Sequence, residues 1–225
     1  MIADSPVRLK RGDLEGWALA TYIPSRGRKA RHYADTFSCA LYLAKCGVRL
    51  PDGEPAGAVY GDQWAHSLAQ LVPSDATIVA CPPASRKRQA GARYLARDLA
   101  DAVGEVLGLP VVALRWVDQG QEASKDIVHQ AGKGRALGRL AVCEEDLTGE
   151  AVCIVDDMFT TGITAQLCAE ALRRAGAERV TVATLGATER TRDRPQHERE
   201  GIARRRELAA LRRTAREWQC QRGER

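Results

Sequence analysis

Two adjacent carboxylates, Asp156 and Asp157, stand between the apolar run Val152-Cys153-Ile154-Val155 and the hydroxyl-rich stretch Met158-Phe159-Thr160-Thr161-Gly162-Ile163-Thr164. Like charges side by side repel unless something uses both. The apolar run suits a buried strand, so the acids fall at a strand end, where ligands bind in open α/β sheets. A carboxylate there accepts hydrogen bonds from hydroxyls, and two acids can divide a vicinal diol between them. Behind them, Ala165 to Ala175 reads as a helix. A loop with one glycine that enters a helix start offers backbone N–H groups and a positive dipole end to a phosphate. Diol and phosphate together describe a sugar phosphate. The plainer alternative is a β-loop-α unit in which the acids cap the helix, which explains one carboxylate well and two badly.

Two other stretches could share this chemistry. Cys81-Pro82-Pro83-Ala84-Ser85-Arg86-Lys87-Arg88 follows the short apolar run Thr77 to Ala80. Its small residues let backbone amides approach a ligand, and its cations can neutralise a diphosphate. Read blandly, it is a proline turn before a basic helix start, although cations there oppose the helix dipole. Between Asp118 and Arg139 the chain carries glycines at 120, 132, 134 and 138 and cations at 125, 133, 135 and 139. A connection of that length inside a compact domain is usually functional, and the alternative is an idle surface loop.

No Gly-Lys-Ser/Thr follows the acidic strand, so this is not a Walker-type phosphate loop, and no Gly-x-Gly-x-x-Gly turn is present there. The stretch Val152 to Thr164 instead resembles the signature of type I phosphoribosyltransferases, which bind 5-phosphoribosyl-1-pyrophosphate (PRPP). The order of Pro-Pro turn, Leu-Arg-Trp strand end, long Gln/Lys/Arg loop and Asp-Asp-Met-Phe-Thr-Thr-Gly-Ile-Thr is most similar to the ComF-like branch. The likeness covers roughly residues 72–188 and includes Leu172-Arg173-Arg174-Ala175-Gly176-Ala177-Glu178-Arg179-Val180. The cysteine-rich zinc module that usually opens ComF-like chains is absent from this sequence.

The resemblance implies an enzyme that moves the phosphoribosyl group of PRPP to a nitrogenous acceptor and releases pyrophosphate. It assigns PRPP binding to Asp156, Asp157, Thr160, Thr161, Gly162, Ile163 and Thr164, and the diphosphate to Ser85, Arg86 and Lys87. Asp156, Asp157, Lys125 and Arg135 are the implied catalytic residues, the last two from the long loop, which in this family closes over PRPP. Mg²⁺ is implied as a cofactor carried by PRPP rather than by protein ligands. Purine-salvage relatives often have an acid where Thr160 stands; threonine accepts no proton at neutral pH, which disfavours a purine mechanism through that position. A PRPP-binding regulator or nucleic-acid accessory protein without turnover is the other reading. The histidines His32, His66, His129 and His197 form no metal cluster; His66 or His129 could face an acceptor, but half-exposed surface roles suit them better.

The elements that must position these residues follow from hydrophobic spacing. Short apolar runs at 77–80, 111–114, 151–155 and 180–185 read as strands. Leu95, Leu99, Ala102, Val103 and Val106 have helical spacing within Arg88 to Leu107, and Leu167, Cys168, Ala171, Leu172 and Ala175 form the inner face of the next helix, stopped by Gly176. Helices between strands imply an α/β fold, a mainly parallel sheet covered on both faces. Residues 1–70 read as irregular apart from a helix over Tyr33 to Lys45, and hold seven of the eleven aromatics. They suit a small N-terminal hood before a core at 71–188 and a basic helical tail at 189–225.

The tail contains 12 Arg and 7 acids, an excess equal to the whole chain's net charge of +5. Its Leu208, Leu211 and Trp218 fit a helix docked on the body or on a second copy in a homodimer. Contact with nucleic acid and a solvated helix are the alternatives, and the interleaved acids weaken the first of these. The seven cysteines form no Cys-x-x-Cys pair, so reduced core thiols are expected rather than zinc or disulfides. With no membrane-length apolar run and no basic-apolar leader, the sequence reads as a cytoplasmic protein.

Overall fold

The computed structural model describes residues 6–24, 29–51, 53–84, 94–118 and 139–188. The acidic run lies near the middle of a six-stranded sheet of β1 (Val7–Arg11), β2 (Leu14–Tyr22), β3 (Ile78–Cys81), β4 (Val111–Ala113), β7 (Ala151–Phe159) and β8 (Arg179–Thr188). The spatial order is β1-β2-β8-β7-β3-β4, antiparallel at the β1–β2 hairpin and parallel at every other pairing. Parallel strands require both faces to be covered, and their sequences show it. Val152 and Ile154 face one layer with Leu167, Cys168 and Leu172 of α5 (Ile163–Arg174). Cys153 and Val155 face the other, where α2 (Thr36–Lys45), α3 (Ala56–Ala69) and α4 (Leu95–Leu107) supply Leu41, Leu68, Leu99 and Val103. The α/β class read from sequence is the observed one.

Several boundaries differ from the sequence reading. Residues 7–22, read as irregular, form β1 and β2, and β2 extends the parallel sheet through β8 with Glu15 opposite Thr181 and Tyr22 opposite Thr188. The charged residues of this pair mark an edge: Arg8 and Lys10 both bond Glu15 on its exposed side. The helix expected over Tyr33 to Lys45 is two, α1 (Lys29–Ala34) and α2, broken at Asp35, whose carboxylate caps α2 by accepting the Ser38 N–H at 2.7 Å. The strand expected to stop at Val155 runs on through both acids to Phe159. The ends of the long cationic connection meet as an antiparallel pair, β5 (Arg115–Asp118) and β6 (Arg139–Val142). Residues 119–138 and the tail at 189–225 lie outside the described residues.

Candidate functional site

The site grows out of β7. Asp156 pairs with Thr184 and Met158 with Gly186 of β8, so the strand is still hydrogen-bonded where the acids occur. That holds both carboxylates inside the protein, with Asp156 9% and Asp157 4% exposed. Asp156 Oδ1 accepts the backbone N–H of Asp157 at 2.7 Å. Asp157 Oδ1 accepts from Lys45 Nζ at 2.5 Å, across 112 residues of sequence. Its other oxygen, Oδ2, is buried with no hydrogen-bond partner among the described residues. Burial and the neighbouring Asp157 charge push the Asp156 carboxyl up to about 7, only partly offset by the Lys45 ammonium.

Past Phe159 the chain turns through exposed Thr160 and Thr161 to Gly162, which is buried. Gly162 has φ 73°, and a Cβ there would lie 2.4 Å from Phe159 Cζ. Only glycine satisfies both the left-handed backbone and the contact with that ring. No side chain caps α5, so the N–H groups of Ile163, Thr164 and Ala165 have no intrahelical acceptor and receive none from a cap. Ile163 and Thr164 are half-buried at this helix start.

The proline turn reaches the same end of the sheet. β3 is parallel to β7, with Ala80 beside Ile154, so Cys81 and Pro82 emerge next to the acid pair. Trp116 Nε1–H donates to the Pro83 carbonyl at 3.1 Å and ties the turn to β5. Tyr94, just before α4, has its phenol held well above the ordinary value by burial and by the charges of Asp156, Cys81 and Asp157; it stays a neutral O–H. Burial pushes the Cys81 thiol up to about 12.

The structure thus brings together Asp156, Asp157, Thr160, Thr161, Gly162, Ile163 and Thr164. Ser85, Arg86, Lys87, Lys125, Arg135 and His129 lie outside the described residues. His66 instead bonds its own helix at the Asp62 carbonyl, 2.8 Å away. Lys45 and Tyr94 were not singled out from sequence. Neither belongs to a local motif, and only the packing of α2 against β2 and β8 and of α4 against β7 reveals them. A cavity of about 470 Å³ between α3 and α4, lined by residues such as Gly61, Asp62, Asp98 and Leu99, does not include the acid pair. Among the described residues no three His, Cys, Asp or Glu side chains converge on a metal position, and no helix is long and apolar enough to cross a membrane.

The family model for the phosphoribosyl transferase domain matches residues 78–204. The chain belongs to this family. No curated protein matches it. Among solved structures it is similar to a purine phosphoribosyltransferase from Pyrococcus horikoshii Ot3, with 20% identity, 56% of this chain and 71% of that one covered, and a TM-score of 0.39. Glutamine PRPP amidotransferase from B. subtilis is 20% identical over 64% of this chain and 30% of its own, with a TM-score of 0.43. Phosphoribosylpyrophosphate synthetase from Mycobacterium smegmatis is 18% identical over 60% and 34%, with a TM-score of 0.33. The chain therefore spans about a third of the length of these last two proteins. Within the matched phosphoribosyl transferase region lie the acid pair, the Gly162 turn and the start of α5.

Proposed function

We propose that this protein transfers the 5-phosphoribosyl group of PRPP to a nitrogenous acceptor and releases pyrophosphate. One observation carries the reading: a buried carboxylate pair with an unpartnered oxygen on Asp157 stands one turn before an uncapped helix N-terminus. A buried acceptor without a donor is rare in folded proteins, and a ribose hydroxyl would satisfy it. The 5′-phosphate would take the N–H groups of Gly162, Ile163 and Thr164 and the hydroxyls of Thr160, Thr161 and Thr164. Asp156 and Asp157 would accept from the ribose diol, and Ser85, Arg86 and Lys87 would hold the diphosphate.

In the reaction the bond from the anomeric carbon to the pyrophosphate oxygen breaks, and its electron pair leaves with pyrophosphate. The acceptor nitrogen's lone pair forms the new C–N bond and its proton passes to solvent. With the ribose diol on Asp156 and Asp157, the acid pair would face the sugar as positive charge grows on it and would stabilise the transition state more than the ground state. Lys125 and Arg135 are proposed to meet the departing diphosphate. Mg²⁺, bound through PRPP oxygens, would offset the charge of the leaving group. Among the described residues the two carboxylates have no third His, Cys, Asp or Glu beside them, a donor set that suits an ion brought in on PRPP oxygens.

The residue order supports placement near the ComF-like branch. We further propose that residues 1–70 include a hood over the acceptor and that 189–225 form a docking tail. The deciding experiment is isothermal calorimetry with Mg²⁺ and PRPP, followed by a pyrophosphate-release assay over a panel of nucleobases and amines. No binding sinks the proposal. Binding without release from any acceptor would instead mark a PRPP-responsive regulator.

A further inference from the structure

Asp157 is held by a residue from a different part of the chain. Its Oδ1 bonds Lys45 Nζ, and the Asp157 side chain is 5% exposed where that of Lys45 is 30% exposed. Lys45 closes the last turn of α2, whose C-terminal dipole favours a cation there. The helix itself is seated firmly. Asp35 caps its start, and Ser38 Oγ accepts the Ile23 N–H at 2.9 Å. Leu41 is wholly buried beneath it, against Gly186. A Cβ on Gly186 would meet Leu41 Cδ2 and Tyr22 Cβ at 3.1 Å each, so the glycine lets α2 approach. Gly186 is also the β8 partner of Met158, next to Asp157. The close approach that glycine allows is what brings an ammonium within reach of the acid pair.

We propose that Lys45 is a positioning residue of the phosphoribosyl site: it engages Asp157 Oδ1, holds that carboxylate in place, and leaves Oδ2 to receive the sugar hydroxyl. This deepens, and rests on, the PRPP reading above. Two adjacent buried carboxylates without a cation would share a proton, and a protonated oxygen is lost as an acceptor. One ammonium on Oδ1 lets the pair carry charge while Oδ2 keeps no protein donor among the described residues. Of the other groups near the acids, Tyr22 from β2, Cys81 from β3, Tyr94 before α4 and Cys168 from α5 are neutral donors at physiological pH, each with its ionisation disfavoured, and the Arg97 guanidinium acts on Cys81.

Full-length Lys45→Met and Lys45→Arg proteins test this in two ways. Calorimetric titration with Mg²⁺-PRPP across neutral to alkaline pH should show affinity lowered ~10-fold near neutrality in the Met variant, recovering as pH rises, because without the Lys45 ammonium the acid pair titrates higher. Lys45→Arg should restore most of the affinity. Carboxyl ¹³C NMR of the ligand-free proteins should show the pair's upper step displaced upward in Lys45→Met. Unchanged affinity and an unchanged carboxyl titration would overturn the inference, as would a loss equal at every pH that Arg does not repair. If the unaltered protein ignores PRPP while the NMR step still moves, the PRPP reading fails but the hold of Lys45 on Asp157 stands.

Discussion

Asp156 is costly to fold around. Its folded carboxyl titrates at about 7 where an ordinary aspartate titrates at 3.8, so the folded chain binds a proton that the unfolded chain has released over that interval. Its contribution to stability is therefore fully present below pH 3.8 and is lost as pH rises to about 7. Asp156→Asn removes this burden while keeping the shape. We expect ligand-free Asp156→Asn to be more stable than the parent by on the order of 1–3 kcal/mol at mildly alkaline pH, and no more stable near pH 4, measured by urea unfolding. The same substitution should weaken Mg²⁺-PRPP binding at least ~10-fold. A variant that loses stability and binding together would argue that the pair is only structural. At this scale the sequence showed the acids plainly, because two like charges after an apolar run have few bland explanations. It could not show Lys45. A contact between residues 112 apart exists only once α2 is packed against β8.

Elements decide where those residues sit, and two glycines control the approach. At the turn into α5, Gly162 combines φ 73° with the nearby Phe159 ring. Gly162→Ala should cost about 1–3 kcal/mol and displace the helix start, so PRPP affinity should fall further than stability alone explains. Parallel thermal melts and calorimetry would separate the two losses. At Gly16 in β2 a Cβ would lie 1.8 Å from the Val182 carbonyl oxygen, a backbone atom that cannot move without opening β2–β8. Gly16→Ala should destabilise by ~3 kcal/mol and raise hydrogen exchange in β1 and β2 before the rest of the sheet. The core strands were legible because parallel strands buried on both faces are continuously apolar, as in Val152 to Val155. β1 and β2 were not. Val7-Arg8-Leu9-Lys10-Arg11 alternates buried and exposed positions on a charged edge, and such a pattern reads as surface chain until its partner strand is known. The extension of β7 past Val155 was hidden because buried carboxylates break the apolar run that marks a strand.

For the molecule as a whole, these local shifts sum to a pH profile with separate limbs. On the acid side, Glu15 is held below the ordinary carboxylate value by Lys10 and Arg8, and Asp75 by Arg179. Such groups contribute stability above their unfolded values, 4.5 and 3.8, and lose it as pH falls below. Between there and neutrality Asp156 acts in the opposite sense. Further up, Cys81, raised to about 12, and Cys168, also raised by burial, make alkaline pH unfavourable once unfolded thiols begin to ionise near 9.0. The ligand-free protein should thus be most stable at about pH 4, where the acid limb gives way to the loss that begins above 3.8 at Asp156. Mg²⁺-PRPP changes that ordering if it donates to the acid pair. It binds the folded, ionised pair and not the unfolded chain, so its stabilisation must grow over the same interval in which Asp156 weakens the free protein. Thermal unfolding with saturating Mg²⁺-PRPP at pH 5, 6, 7 and 8 should therefore show a ligand-induced rise in Tm that increases with pH and levels off above about 7. A rise that is constant across the series would place the ligand away from Asp156 and Asp157. In Asp156→Asn the pH dependence of that rise should largely vanish while the acid limb from Glu15 and Asp75 persists, which separates the site's titration from that of the surface.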